Sequence, residues 1–303
     1  DVFRVPGSRF RRLKVAMKFD GWRLLRILFA EVIPRVALVW VLVVCGMNWL
    51  NNRLVYYPQR QWDATPADDN LPYEDVALVT ADGLKLHAWY VTAKDAAGTV
   101  LFCHGNAGNV SHRIETIAVL HKLGMNVLVF DYRGYGKSEG RPTEEGTYRD
   151  AEAAWAYLVE TRGEKPQRIV IHGRSLGGSV AAHLAMDRTA AGLIVESSFY
   201  DITELGAELF RWLPVRWLSR MNYKTAEYVK GARCPVLVIH SRDDDMIALH
   251  HGQKIFDAAP QPKRLLEIHG GHNSAFLDSA DIYNPSLREF FAEVLATPAS
   301  RHP

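Results

Sequence analysis

Ser175 lies in the stretch Ile169-Val170-Ile171-His172-Gly173-Arg174-Ser175-Leu176-Gly177-Gly178. Its β-branched residues read as a buried strand, which then runs into a G-x-S-x-G turn. A turn this sharp needs glycine on both sides of the serine, because a Cβ there would strike the chain passing close by. The helix predicted to start at Leu176 leaves its first N–H groups unpaired and aimed at whatever the hydroxyl attacks. The pattern taken alone also describes an ordinary glycine-rich strand-to-helix turn, so its meaning depends on what else the chain supplies.

A serine hydroxyl is a weak nucleophile at neutral pH. It needs a base to take its proton and a carboxylate to hold that base in one tautomer. Of the twelve histidines, His272 alone lies in a loop after the last predicted strand with two glycines before it, and it is the expected general base. His269 is its nearest rival. His104, His172 and His240 end strands and read as structural, while His250 and His251, adjacent on a predicted helix, are expected to face different ways. For the carboxylate, Asp243, Asp244 and Asp245 all follow the strand ending at His240, and Asp201, after the preceding strand, is a further candidate. The oxyanion formed during attack needs donors. The expected ones are the backbone N–H groups of Leu176 and, from the loop at 103–109, of Asn106.

Other chemistries find little support. The loop at 103–109 has no Walker lysine after it and no G-x-G-x-x-G, so it is a poor phosphate cradle. The stretch at 131–138 ends in Gly-Lys-Ser, but Asp131 stands where the first glycine of a phosphate loop belongs, and its carboxylate would repel phosphate. That loop reads as scaffold. Cys45, Cys103 and Cys234 show no C-x-x-C spacing, which argues against a zinc site or a disulfide framework. The net charge of +2 gives no reason to expect a nucleic-acid partner. No metal or organic cofactor is implied.

The elements that must carry these groups follow in order. Residues 76–80 and 84–91 flank the turn Ala81-Asp82-Gly83 and read as a hairpin. Strands near 99–103, 126–130, 168–171, 193–196, 235–240 and 264–268 then alternate with helices. Ala151, Ala154, Trp155, Leu158 and Val159 keep the spacing of one apolar helix face. The expected fold is α/β: a mostly parallel central sheet with helices on both faces. The last helix is expected to open on Asn284 as N-cap and Pro285 as first residue. Residues 200–232 break the rhythm, with Phe210, Trp212, Leu213 and Trp217 crowded around Pro214. They form either helices packed on the sheet or a short lid that lines an acyl pocket or touches lipid.

Residues 1–35 carry nine basic and three acidic side chains and lead into an apolar run at 36–50. As a helix that run spans about 22 Å, against a hydrocarbon core of roughly 30 Å. Reading back to Ile27 lengthens it, at the cost of including Glu31, Arg35 and a kink at Pro34. The expectation is a single-pass membrane anchor, with an amphipathic or core helix and a cleaved signal peptide as alternatives. A spanning segment behind a basic cluster would place the rest of the chain outside the cytoplasm, periplasmic or lumenal. Residues 1–52 are thus expected to be the anchor region and 53–303 a catalytic domain, its lid inserted at about 200–232.

Six motifs in order carry a resemblance: residues 102–109 (FCHGNAGN), 131–140 (DYRGYGKSEG), 173–178 (GRSLGG), 195–199 (VESSF), 240–245 (HSRDDD) and 270–273 (GGHN). Over residues 55–296 the chain resembles the α/β-hydrolase-domain serine hydrolases of the bud-emergence branch, whose relatives include lysophospholipases and protein depalmitoylases. The resemblance implies an α/β-hydrolase fold, frequent single-pass membrane attachment, and an acid four positions after the histidine closing its strand, which is Asp244. Ser241 and Ala248 depart from the glycine and proline many relatives have there; neither removes a catalytic group. The expected activity is carboxylesterase- or lipase-like hydrolysis of acyl esters or thioesters through an acyl-enzyme. An aminopeptidase-like serine peptidase of the same fold and a non-catalytic binding protein are the alternatives.

Overall fold

The computed structural model describes residues 21–296. Its strands are β1 (Tyr73–Val79), β2 (Lys85–Val91), β3 (Gly98–Cys103), β4 (Met125–Phe130), β5 (Ile169–Arg174), β6 (Gly192–Glu196), β7 (Val236–Ser241) and β8 (Lys263–Ile268). Its helices are α1 (Gly21–Ile27), α2 (Ile33–Val55), α3 (Ile114–Lys122), α4 (Glu144–Ala156), α5 (Leu176–Asp187), α6 (Ile202–Leu209), α7 (Val215–Leu218), α8 (Thr225–Val229), α9 (Leu249–Ala258), α10 (Ala275–Asp278) and α11 (Ala280–Leu295).

The strands make one sheet in the order β1-β2-β4-β3-β5-β6-β7-β8. β1 with β2 and β2 with β4 pair antiparallel, and every pairing from β4 to β8 is parallel. Central strands are buried on both faces, as their near-continuous apolar runs require. Alternate residues feed two cores. Leu101, Leu128 and Ile171 pack with Ala151, Ala154 and Trp155 of α4 and Val180 and Leu184 of α5. Val100, Val127 and Val170 pack with Ile117 of α3 and Leu287, Phe290 and Phe291 of α11. Helices therefore cover both faces, and parallel β3, β5, β6, β7 and β8 end along one edge.

The final helix starts earlier than expected. Ser279 C=O accepts the N–H groups of Ile282 at 3.0 Å and Tyr283 at 2.8 Å, so α11 begins at Ala280 and Pro285 lies inside it. Pro285, the sixth residue of the helix, gives Asp281 C=O no N–H and crowds that carbonyl with its ring, a cost the rest of the helix carries.

Contacts divide the chain into two compact units, one ending at Met47 and one beginning at Asn48. In the first, a π-helical turn at Leu28–Val32 precedes Pro34, absorbing the proline that the sequence places there. Glu31 and Arg35, one helical turn apart, pair at 3.2 Å. The expectation of a spanning anchor is corrected: among the described residues no helix is long and apolar enough to cross a membrane. The described apolar stretch, residues 36–43, is short, though exposed throughout. The basic residues at 4–18 and the side chains of Trp49 and Leu50 lie outside what is described.

Candidate active site

Four loops leaving β3, β5, β7 and β8 bring the predicted residues together. Ser175 adopts φ 55° and ψ −122°, a left-handed conformation that a non-glycine residue takes only when its surroundings hold it there. They do. A Cβ on Gly173 would fall 2.1 Å from Gly177 O, and one on Gly177 would fall 2.0 Å from Cys103 O. Ser175 N–H donates to Glu196 O at 2.9 Å, and Ser198 Oγ donates to Ser175 O at 2.8 Å. The hydroxyl thus stands at a fixed point where β5 meets α5.

His272 Nε2 lies 3.1 Å from Ser175 Oγ, and its Nδ1 lies 2.8 Å from Asp244 Oδ2. With Nδ1–H donating to the carboxylate, Nε2 is left free to accept the serine proton. Asp244 Oδ1 accepts the N–H groups of Met246 at 2.9 Å and Ile247 at 2.8 Å. Burial pushes the Asp244 carboxyl up, but the His272 hydrogen bond and charge and these two N–H groups outweigh it, holding it below the ordinary aspartate value.

The other candidates have different work. Asp245 accepts the backbone N–H of His272 at 2.9 Å, and exposed Asp243 pairs with exposed His269 at 3.0 Å. Asp201 caps α6, accepting the N–H groups of Thr203 and Glu204. His104 is buried with Nδ1 2.6 Å from Gly105 O, and burial drives its pKa down to about 4. Among the described residues, neither Leu176 N–H nor Asn106 N–H has an acceptor. Leu176 opens α5, and Asn106 follows Gly105, whose Cβ position lies 3.5 Å from Ser175 Cβ.

Phe210, Trp212 and Trp217 are exposed to solvent, the two tryptophans at 76% and 87%, Leu213 is half-buried, and none of the four has a hydrogen bond from its side chain. His250 and His251 do not diverge, contrary to expectation. At the first turn of α9 both reach Glu208 of α6, each Nε2 at 3.1 Å from one carboxylate oxygen. Of the described residues these three make the one metal-ligand-like group. However, His251 Nδ1 accepts Tyr200 N–H at 3.4 Å, which leaves the imidazole proton on Nε2 facing Glu208. The arrangement is a hydrogen-bonded fastening of α6 to α9.

Two contributions escaped the sequence reading. Glu196 is buried beneath the serine and meets Arg174 Nε, His172 Nε2 and Tyr283 Oη, each at 2.8 Å. A lone carboxylate closing an apolar strand was its only signal. Ser241 Oγ donates to Gly270 O at 2.6 Å and accepts Asp243 N–H at 3.1 Å, joining the acid loop to the histidine loop. The departure from glycine at 241 therefore supplies a contact.

The fold and this cluster define a class. A family model described as serine aminopeptidase, S33, matches residues 94–230. An α/β-hydrolase domain-containing protein of Arabidopsis thaliana is 32% identical over 272 residues, covering 80% of this chain and 88% of that one. An uncharacterized protein of Mycobacterium tuberculosis is 38% identical over 266 residues (86% and 94%), and an uncharacterized membrane protein of Saccharomyces cerevisiae 31% over 262 (82% and 92%). Among solved structures, a Pyrococcus furiosus esterase matches with TM-score 0.66 and 25% identity, covering 79% of this chain and 98% of that one. A puromycin-hydrolyzing peptidase of Mycobacterium tuberculosis matches in fold with TM-score 0.60 and 18% identity, covering 75% and 40%. The chain belongs to the α/β-hydrolase family, and its neighbours support a hydrolase.

Proposed function

We propose that the protein is a serine hydrolase that cleaves carboxylic esters or thioesters of acyl or lipid substrates, in the manner of the bud-emergence branch it resembles. One observation carries the reading: the unbroken hydrogen-bonded path from Ser175 Oγ through His272 to Asp244. Ser175 attacks the acyl carbon while His272 Nε2 takes its proton, and Asp244 holds the imidazole and stabilises the charge it gains. The N–H groups of Leu176 and Asn106 receive the oxyanion; such a donor is worth about 3 to 4 kcal/mol in the transition state. His272 then protonates the leaving alcohol or thiol, and water, activated by the same imidazole, releases the acid from Ser175. No step calls for a metal or an organic cofactor.

The S33 description and the peptidase neighbour favour a second reading, an aminopeptidase-like serine peptidase. A series of p-nitrophenyl esters of increasing chain length, run beside lysolipid, acyl-thioester and aminoacyl-amide substrates, separates the two. Highest kcat/KM on an ester or thioester supports the first; highest on an aminoacyl amide with a free amine replaces it with the second.

Membrane association belongs to the same proposal. The exposed apolar side chains at 36–43, the basic residues before them and the yeast relative described as a membrane protein all support it. Trp212 and Trp217 would then meet the lipid surface from the short helices α6 to α8. Protease treatment of sealed vesicles reads the side occupied. Digestion of membrane-bound protein reports attachment at the vesicle surface, the reading proposed here, and full protection contradicts it.

A further inference from the structure

Asn106 sits in a loop with Gly105 before it and Ala107 and Gly108 after it, Gly108 at φ +82°. Such backbone is soft, because glycine has more conformations to lose than any other residue. An oxyanion donor, by contrast, is effective only when its N–H is already aimed at the developing charge. Something outside the loop must hold it.

The contacts of the Asn106 side chain meet that need. Its Nδ2 donates to Val55 O, and its Oδ1 accepts Tyr57 N–H at 3.3 Å and Tyr135 Oη–H at 2.8 Å. The same segment then follows the loop further: Gly108 N–H donates to Tyr57 O and Gln59 N–H to Gly108 O, both at 3.1 Å. Asn109 Nδ2 donates to Gln61 O at 2.6 Å. Buried Tyr56 anchors the segment from the other side, its Oη 2.8 Å from Tyr223 Oη. Buried Tyr135 packs against His104, with ring centroids 5.6 Å apart.

We propose that residues 55–59 belong to the catalytic apparatus, with the Asn106 side chain as the positioning residue through which they aim its own backbone N–H at the oxyanion. The carboxamide satisfies all three partners, its NH₂ donating to one carbonyl and its oxygen accepting from a hydroxyl and an N–H. The segment is the direct continuation of α2, so the chain that follows the N-terminal helix closes over the oxyanion loop. This rests on Asn106 N–H being an oxyanion donor, as proposed above.

The test uses the full chain with Asn106→Ala, Asn106→Asp and Tyr135→Phe, each titrated for active sites with a fluorophosphonate and checked for melting temperature. Asn106→Ala is expected to lower kcat per titrated site about 10²-fold, the cost of a misplaced group, with KM changed little. Affinity for a trifluoromethyl ketone, whose adduct carries the oxyanion, should fall in proportion to kcat/KM. Asn106→Asp should behave like Asn106→Ala, and Tyr135→Phe should lose about 5-fold, one hydrogen bond's worth. Folded variants with wild-type kcat and wild-type ketone affinity overturn the inference. So does a loss confined to melting temperature. Undiminished hydrolysis by Ser175→Ala would instead remove the underlying reading, so the two failures are distinguishable.

Discussion

Asp244 meets His272 through one carboxylate oxygen, Oδ2 at 2.8 Å from Nδ1, while Oδ1 is committed to the N–H groups of Met246 and Ile247. That division fixes both the tautomer of the base and the direction from which the acid approaches it. It also separates Asp244 from its two sequence neighbours, since the Asp245 carboxylate takes the His272 backbone N–H and the Asp243 carboxylate takes the His269 ring and the Gly270 N–H.

Asp244→Asn should therefore lower kcat by about 10⁴-fold, because an amide donor opposite Nδ1 favours the wrong tautomer. Asp245→Asn should cost far less, about 5-fold, for weakening a single backbone hydrogen bond. Asp243→Asn should change turnover little. Steady-state kinetics on one soluble ester reads all three, and an equal loss at Asp243 and Asp244 would overturn the assignment.

Gly173→Ala and Gly177→Ala should fail to give stable protein, since the new Cβ would lie 2.1 and 2.0 Å from backbone oxygens. Overpacking of this kind costs about 1 to 3 kcal/mol where side chains can give way, and more where the obstacle is backbone. Urea midpoints check it; a wild-type midpoint for either variant contradicts the packing described.

Glu196 gives a pH prediction. Burial opposes its ionised form, but the charge of Arg174 and the hydrogen bonds from His172 and Tyr283 outweigh this and bring its pKa from 4.5 down to about 2. A depressed carboxylate contributes stability that is whole above the unfolded value and is lost as pH falls through the folded one. Glu196→Gln should cost about 3 to 5 kcal/mol near neutral pH by leaving Arg174 buried without its partner. The gap to wild type should narrow between pH 5 and pH 2. Urea melts across that range test it, and a gap that widens towards acid has the wrong sign.

Trp212 and Trp217, the most exposed aromatic residues after residue 200, separate lipid-surface action from action in solution. Replacing both by serine should cut hydrolysis of a long-chain ester in vesicles by at least about 10-fold, since burying such a side chain is worth about 1.5 to 3 kcal/mol. Activity on a soluble short-chain ester should stay within a factor of about two. Equal losses on both substrates would place the tryptophans in general structure.

Much of the site is local in origin and so was legible in the chain. Gly173, Ser175 and Gly177 announce their turn because the steric demand lies within five residues, and His272 stands out by its place after the last strand. The α/β alternation was readable for the same reason: each strand and helix carries its own period. What could not be read depends on distant partners. The residues themselves do not tell Asp244 from Asp243 and Asp245; the resemblance pointed to Asp244, and in space it is the one that faces His272. The convergence of His250 and His251 on Glu208 requires α6 to lie beside α9. The early start of α11 depends on Ser279 C=O, which outweighs the local cap signal at Asn284 and Pro285.

The most direct measurement is to label the full-length protein with a fluorophosphonate and locate the adduct by peptide mass spectrometry, beside the turnover of Ser175→Ala. A single adduct on Ser175, with turnover reduced by about 10⁴ to 10⁶ in the variant, is the expected result. An unlabelled Ser175, or ester hydrolysis that persists undiminished without its hydroxyl, would contradict the account.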